Sequence, residues 1–374
     1  MVGARRGGGA FPVQPLLQLL VPLVLLVPLG RLPPSVPLEA EVRQRVTIDV
    51  LSSLAYGSGL PDLGLAAGSA RAELELASFG SSDVRGRLQL RAELYDGPDG
   101  SAESVLSVPR AEVRWRMRLP AGSLRIRAGR TRLSWGDGQL YNAGEVLNGA
   151  RPEQVDLTAR TLRDETQWLL SAYLPLGRFA FLEPVAVLPP AVLGDDATVA
   201  AAPAHTSAGG LRVQGQVAGI KSEVGYLYRG AGELHQPYLS LQGNLGVDLY
   251  GGIRWEWRHR AGTDAPREAV TASAGAFAQR DHRRLGTGTL RVEALWEETG
   301  GRWYLAPDLS WAPSQLLNFF SRSEVELSTG TTEWRSSGGI RWTPVTGLTI
   351  SGLVGWDAAA GGSLALGSGL RYVF

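Results

Sequence analysis

The feature that most constrains this chain is an alternation of apolar and polar residues that dominates from about Val46 onward. Between residues 110 and 119, Ala111, Val113, Trp115, Met117 and Leu119 alternate with Arg110, Glu112, Arg114, Arg116 and Arg118. Between 85 and 95, Leu88, Leu90, Ala92 and Leu94 alternate with Arg87, Gln89, Arg91 and Glu93. A helix would scatter these arginines around its circumference, whereas a strand sets them in one row. Such segments recur at 46–55, 70–79, 123–127, 167–174, 179–187, 211–218, 223–228, 238–243, 247–259, 270–278, 289–296, 303–311, 323–327, 332–342, 348–356 and 363–374. Turn signals such as Asp96-Gly97-Pro98-Asp99-Gly100 and Thr299-Gly300-Gly301 separate them.

Soluble sandwiches, propellers and solenoids also alternate, so three further features decide. The apolar rows continue from strand to strand with almost no helical segment between them. A single sheet of that size would split into two or acquire helices unless it closed on itself. Aromatic residues sit at strand ends, as Trp303 with Trp311, Trp334 with Trp342, and Trp356. That placement suits girdles at two membrane interfaces. The chain also stops on a strand, with Leu364, Leu366, Leu370, Tyr372 and Phe374 on one face.

These features predict an all-β fold, a transmembrane antiparallel β-barrel of about 16–18 strands. Facing follows from energetics. An Arg on the lipid side at the midplane costs about 2–4 kcal/mol, so the Arg rows must face the lumen.

The N-terminus has a different character. Arg5 and Arg6 precede an apolar run from Leu16 to Leu29 that contains Pro22 and Pro28. It is short for a spanning helix and reads as a secretory signal, with a cut after Ala40. The expected organisation is a signal peptide at 1–40 and a single barrel domain at 41–374. Few residues lie between the cut and the first strand, which leaves no room for a plug domain.

Alternation lapses between Arg127 and Gln167. Here Gly129-Arg130-x-Arg132-Leu133-x-Trp135-Gly136-x-Gly138 leads into Asn142 and Asn148. This stretch resembles one found in porin-like bacterial outer-membrane proteins, of the form G-R-Q-x-I-x-W-G-x-G followed by an N-P-x-D-like turn. Thr131 stands where Gln is usual and Ala143 where Pro is usual. The terminal strand, with Leu370, Tyr372 and Phe374, resembles the C-terminal assembly signal of the same class. The resemblance implies passive or substrate-selective transport, an outer-membrane location and handling by the barrel-assembly machinery.

About 30 residues without alternation are too many for a hairpin connection. The segment is therefore expected to fold inward as a constriction loop carrying Trp135, Asp137, Asn142, Glu145, Asn148, Glu153 and Asp156. The expected pore lining is Arg114, Arg116, Arg118, Arg125, Arg127, Arg130 and Arg132, opposite that acidic loop, so that a transverse field would cross the eyelet. The alternative is that these charges form salt bridges that only stiffen the wall. A second irregular stretch, 189–210, reads as a long exposed connection.

Composition narrows the remaining classes. With no cysteine, disulfides, thiolate metal sites and thiol nucleophiles are excluded. The four histidines have no metal-ligand spacing, and no cofactor is expected. His205-Thr206-Ser207 and Asp281-His282 come without a recognisable set of catalytic partners, so an outer-membrane hydrolase ranks third and no enzyme is expected. A net charge of +1 gives nucleic acid no bulk attraction. The leading expectation is a diffusion channel for small hydrophilic solutes, surrounded by outer-membrane lipid. The Arg crowding between 85 and 132 leans it towards anions. A non-conducting adhesin or assembly barrel is second. A homo-oligomer suits this class, but no interface patch is legible.

Overall fold

The computed structural model describes residues 41–57, 65–79, 83–96, 101–119, 122–152, 155–159, 161–188, 208–229, 234–258, 267–358 and 362–374. The expected signal segment, 1–40, and most of the 189–210 stretch lie outside them.

The chain forms eighteen strands in sequence order. They are β1 (Glu41–Gly57), β2 (Leu65–Phe79), β3 (Val84–Asp96), β4 (Ala102–Leu119), β5 (Gly122–Thr131) and β6 (Gln167–Pro175). Next come β7 (Ala180–Val187), β8 (Ala208–Val217), β9 (Ile220–Arg229), β10 (Leu234–Asn244), β11 (Asp248–Arg258) and β12 (Arg267–His282). The last six are β13 (Gly286–Glu297), β14 (Arg302–Ser314), β15 (Leu317–Ser328), β16 (Thr331–Val345), β17 (Leu348–Asp357) and β18 (Ser363–Val373).

Each strand pairs antiparallel with its sequence neighbours, and β18 returns to pair with β1. Closure satisfies both edges of the sheet, which leaves no end strand to aggregate. The closing seam runs from Thr47 opposite Val373 to Gly57 opposite Ser363. The final N–H, on Phe374, donates to the Val46 carbonyl at 2.9 Å. The aromatic rings of Tyr372 and Phe374 meet edge to face 4.4 Å apart. Leu370 stands on the outer row against Val50 and Ile350.

Directly opposed residues share a face, so the register sorts the wall. Val50, Leu370 and Ile350 lie in one outward row, and Leu366 and Val354 in another. Trp303, Trp311, Trp334, Trp342 and Trp356 are exposed on the same outer surface, near its two rims. The inward rows are polar: Asp49, opposite Arg371, pairs with its guanidinium at 3.5 Å.

Connections of two to four residues join strands at the end that holds the two chain ends, as at 176–179, 218–219 and 315–316. At the other end the 35 residues from 132 to 166 link β5 to β6. The described ones turn into the barrel, where several of their side chains are fully buried. Trp135 and Ala143 are 0 % exposed. The hydrophobic core of this molecule therefore lies inside the lumen, between loop and wall.

Candidate functional site

The β5–β6 loop is anchored by two apolar clusters. In the first, Leu133, Trp135, Val146 and Leu147 pack on Leu169 of β6, Val185 and Val187 of β7, Leu227 of β9 and Tyr238 of β10. In the second, Leu140, Tyr141, Ala150 and Leu162 pack on Leu295 of β13 and on Tyr304 and Ala306 of β14. These inward-facing wall residues break the polar-inside rule because the loop, not water, covers them.

Hydrogen bonds complete the attachment. Glu293 of β13 accepts the backbone N–H groups of Gln139 (2.6 Å), Leu140 (2.6 Å) and Tyr141 (3.0 Å), and also the Tyr250 hydroxyl. Glu223 of β9 accepts Gly136 N–H and the Tyr238 hydroxyl, each at 2.6 Å. Glu324 of β15 accepts the Tyr141 hydroxyl at 2.7 Å and pairs with Arg151 and Arg335. Wall arginines bind loop carbonyls in return. Arg229 donates to Val146 (2.7 Å) and Leu147 (2.8 Å), and Arg341 to Thr158 (2.9 Å). Arg322 donates to Leu157 at 3.3 Å and also to Ala159. An irregular backbone offers donors and acceptors that no sheet ladder satisfies, and the inner wall supplies their partners.

The Trp-Gly-x-Gly stretch starts this path. Gly136 (φ +72°) and Gly138 (φ +135°) adopt backbone conformations that L side chains rarely take. A Cβ on Gly136 would lie 2.6 Å from Asn142 Oδ1 and 2.8 Å from Gly144 Cα. The folded-back turn is held by Asn142, whose Nδ2 donates to the Trp135 carbonyl at 2.9 Å.

The residues expected in the loop, Glu153 apart, are held there by specific contacts. Trp135 stacks on Tyr238 at 5.9 Å, below the Arg212 guanidinium at 5.8 Å. Asp137 is neutralised by Lys221, the only lysine, and accepts the Ser240 hydroxyl at 3.2 Å. Asn148 Nδ2 donates to the Leu133 carbonyl at 3.2 Å. Glu145 is 2 % exposed, inside the loop's own core. Burial pushes its carboxyl up to about 7, against the opposing pull of the Ser134 hydroxyl and Arg163. Burial beside Glu324 holds the Tyr141 hydroxyl far above the ordinary phenol range. Asp156 is exposed and closes a turn by accepting Thr158 N–H (2.8 Å), Thr158 Oγ1 (2.6 Å) and Ala159 N–H (3.2 Å). Glu153 lies outside the described residues.

Three cavities lie along the charged rows of the inner wall. One, of about 520 Å³, runs between β1–β3, β16–β18 and the end of the loop, and is lined by Arg71, Arg91, Arg341 and Arg371 together with Asp49, Glu73, Glu93, Asp156 and Asp164. A second, about 470 Å³, continues down the same inner rows, where Glu73 gives way to Glu75 and Gln89 to Arg87. A third, about 510 Å³, lies at the turn side of β3–β8. The second and third share Arg85 and Arg114, and together their walls hold ten arginines against four carboxylates.

Arg114, Arg116, Arg118, Arg125 and Arg127 all line the third cavity. Two arginines depart from the expected row. Arg130 faces outward with its partners Ala111 and Trp168, because the ladder runs unbroken through Gly129 and puts the even-numbered position outside. Its Nε donates to Thr166 Oγ1 at 3.3 Å. Arg132 lies just past β5, with its carbonyl accepting from Arg127 Nη1 at 3.3 Å. The expected opposition of cationic wall and acidic loop is also corrected. The carboxylates lining the third cavity are Asp83 and Glu183, both outside the loop, whose one contribution is Leu133. Asp137 and Glu145 are spent on anchoring the loop or buried within it.

Sequence reasoning missed the anchoring groups Glu223, Glu293, Glu324, Arg229 and Arg322. The available signal was Leu227, Leu295 and Tyr304 standing in rows that should have been polar.

No protein-family model matches the sequence, and no curated protein matches it. Solved structures do resemble the fold. OccK2 (OpdF) of Pseudomonas aeruginosa aligns over 89 % of this chain and 98 % of its own, with a TM-score of 0.59 and 12 % identity. The fold is that of a porin. A BenF-like porin from Pseudomonas fluorescens Pf-5 aligns over the same shares, with a TM-score of 0.60 and 11 % identity. OpdK of P. aeruginosa, solved with vanillate, aligns over 88 % of this chain and 98 % of its own, with a TM-score of 0.56 and 11 % identity. At these identities the porin likeness is one of architecture.

Proposed function

We propose that this chain is an outer-membrane channel through which small hydrophilic solutes diffuse passively, with a preference for anions. The observation that carries the reading is the sorting of the closed wall. Its outside is apolar between aromatic rims, its inside is charged, and its crossing loop leaves cavities along the charged rows. An apolar exterior of this extent is stable only against lipid. The arginine excess in the two lower cavities supports the anion preference, since fixed charge in a low-dielectric pore concentrates the opposite ion. Porins of the same architecture have been solved with vanillate and with glucuronate, both carboxylate anions. An N-terminal signal removed near Ala40 and a terminal strand read by the assembly machinery through Leu370, Tyr372 and Phe374 belong to the same proposal.

The test is single-channel recording of the refolded chain in a planar bilayer under a salt gradient. Stable current steps with a reversal potential of anion sign are expected. A folded, heat-modifiable barrel that stays silent would favour the non-conducting reading, for which the firmly held loop is the supporting feature.

A further inference from the structure

The cross-strand register of β4 and β5 sets a grid of like charges directly opposite one another on the inner wall. Arg114 faces Arg127, and Arg116 faces Arg125. Like charges in directly opposed positions destabilise a sheet unless counter-charge stands beside them. What the wall supplies is small. Glu112, 4 % exposed, pairs with Arg114 at 2.8 Å and lies 3.9 Å from Arg127, and one of its oxygens is also taken by Thr131 Oγ1 at 2.6 Å. Glu183 belongs to Arg212, at 2.7 Å. Asp83 is the remaining carboxylate on the cavity wall. Among the described residues, Arg116 and Arg118 have neither an ion pair nor a side-chain hydrogen bond. The Arg125 guanidinium lies 5.2 Å over the Tyr173 ring, which leaves its N–H edge unused by that contact.

We infer that this grid is a binding site for oxyanions carrying two or more negative charges, of the phosphate type, at the turn-side mouth of the lumen. The argument is one of charge and shape. One carboxylate shared between two guanidiniums leaves several positive charges on neighbouring strands, and a single monovalent anion neutralises only one of them. A tetrahedral dianion presents oxygens in several directions at once and accepts paired N–H donors from guanidiniums on adjacent strands. Arg116 and Arg125 supply the open donors, with Arg114 and Arg127 behind them. The cavity of about 510 Å³ has room for such an ion with much of its hydration. The solute on this account binds transiently on its way through, and the inference rests on the channel reading for its electrical readout.

The test uses the full mature chain in a planar bilayer carrying chloride current at pH 8. Inorganic phosphate, mostly dianionic at that pH, is added on the turn side, with acetate at equal ionic strength as the monoanion control. Phosphate should reduce the chloride current at about tenfold lower concentration than acetate does. The double variant Arg116→Gln/Arg125→Gln should conduct and lose that advantage. Equal block by phosphate and acetate, or an unchanged advantage in the double variant, would overturn the inference. If the barrel carries no chloride current, the channel reading has failed, and equilibrium dialysis of radiolabelled phosphate against the detergent-folded barrel decides the site by itself. Saturable binding abolished by the double variant would support it, and no saturable binding would refute it.

Discussion

Glu145 shows how far the environment of a single residue can depart from what its neighbours in sequence suggest. In the sequence it looks like one more acid on a constriction loop. In the structure it is 2 % exposed, with its carboxyl raised to about 7 by burial. A carboxyl raised in the folded state favours its neutral form. Its contribution to stability is therefore fully present below the unfolded value, near 4.5, and is lost as pH rises through about 7. Open-channel current noise from loop motion should accordingly increase as pH rises from about 4.5 to about 7. The E145Q variant, neutral throughout, should flatten that dependence. A variant whose noise still rises with pH as in the parent would place the titration elsewhere. Residues in regular rows, by contrast, were legible. Period-2 counting sets Arg114, Arg116 and Arg118 in one row of β4; it failed at Arg130, which the ladder turns outward, and at Arg132, which lies past the end of β5.

At the scale of elements, the loop from 132 to 166 owes its path to the wall behind it. Three consecutive backbone N–H groups converge on Glu293, and hydrogen bonds to a charged group contribute about 1.5–3 kcal/mol each. Glu293→Ala should leave those donors buried without partners and cost on the order of 3 kcal/mol of loop attachment. Flickering conductance and faster protease cleavage within the loop should follow, while the barrel keeps its heat-modifiable migration. A variant with parental noise and parental cleavage would show that the two apolar clusters alone hold the loop. The lapse of alternation was enough to predict that this segment turns inward, and the Gly-rich stretch marked where the turn begins. The anchors were not legible, because Glu223, Glu293 and Glu324 lie far from the loop in sequence and look like ordinary lumen acids until the barrel closes.

At the scale of the whole molecule, one periodicity determined most of the architecture. All eighteen alternating segments are strands, and each pairs with its sequence neighbours. Closure of β18 onto β1 needed no further signal, since an apolar outer face and satisfied edges are available together only in a barrel. Periodicity does not report which side of the lumen the loop fills, since that depends on volumes and contacts summed across strands. The central claim is that solutes pass along β1–β3 and β16–β18 while the loop seals the wall from β9 to β14.

With no native cysteine, single cysteines test this cleanly. Gln89→Cys points into the cavity beside β1–β3, and Ser240→Cys, at a position 0 % exposed, lies behind the loop. The measurement is the single-channel current before and after a negatively charged thiol reagent. The account predicts a permanent drop in current at position 89 and no change at position 240. Modification at 240 that cuts the current, with 89 unaffected, would contradict it.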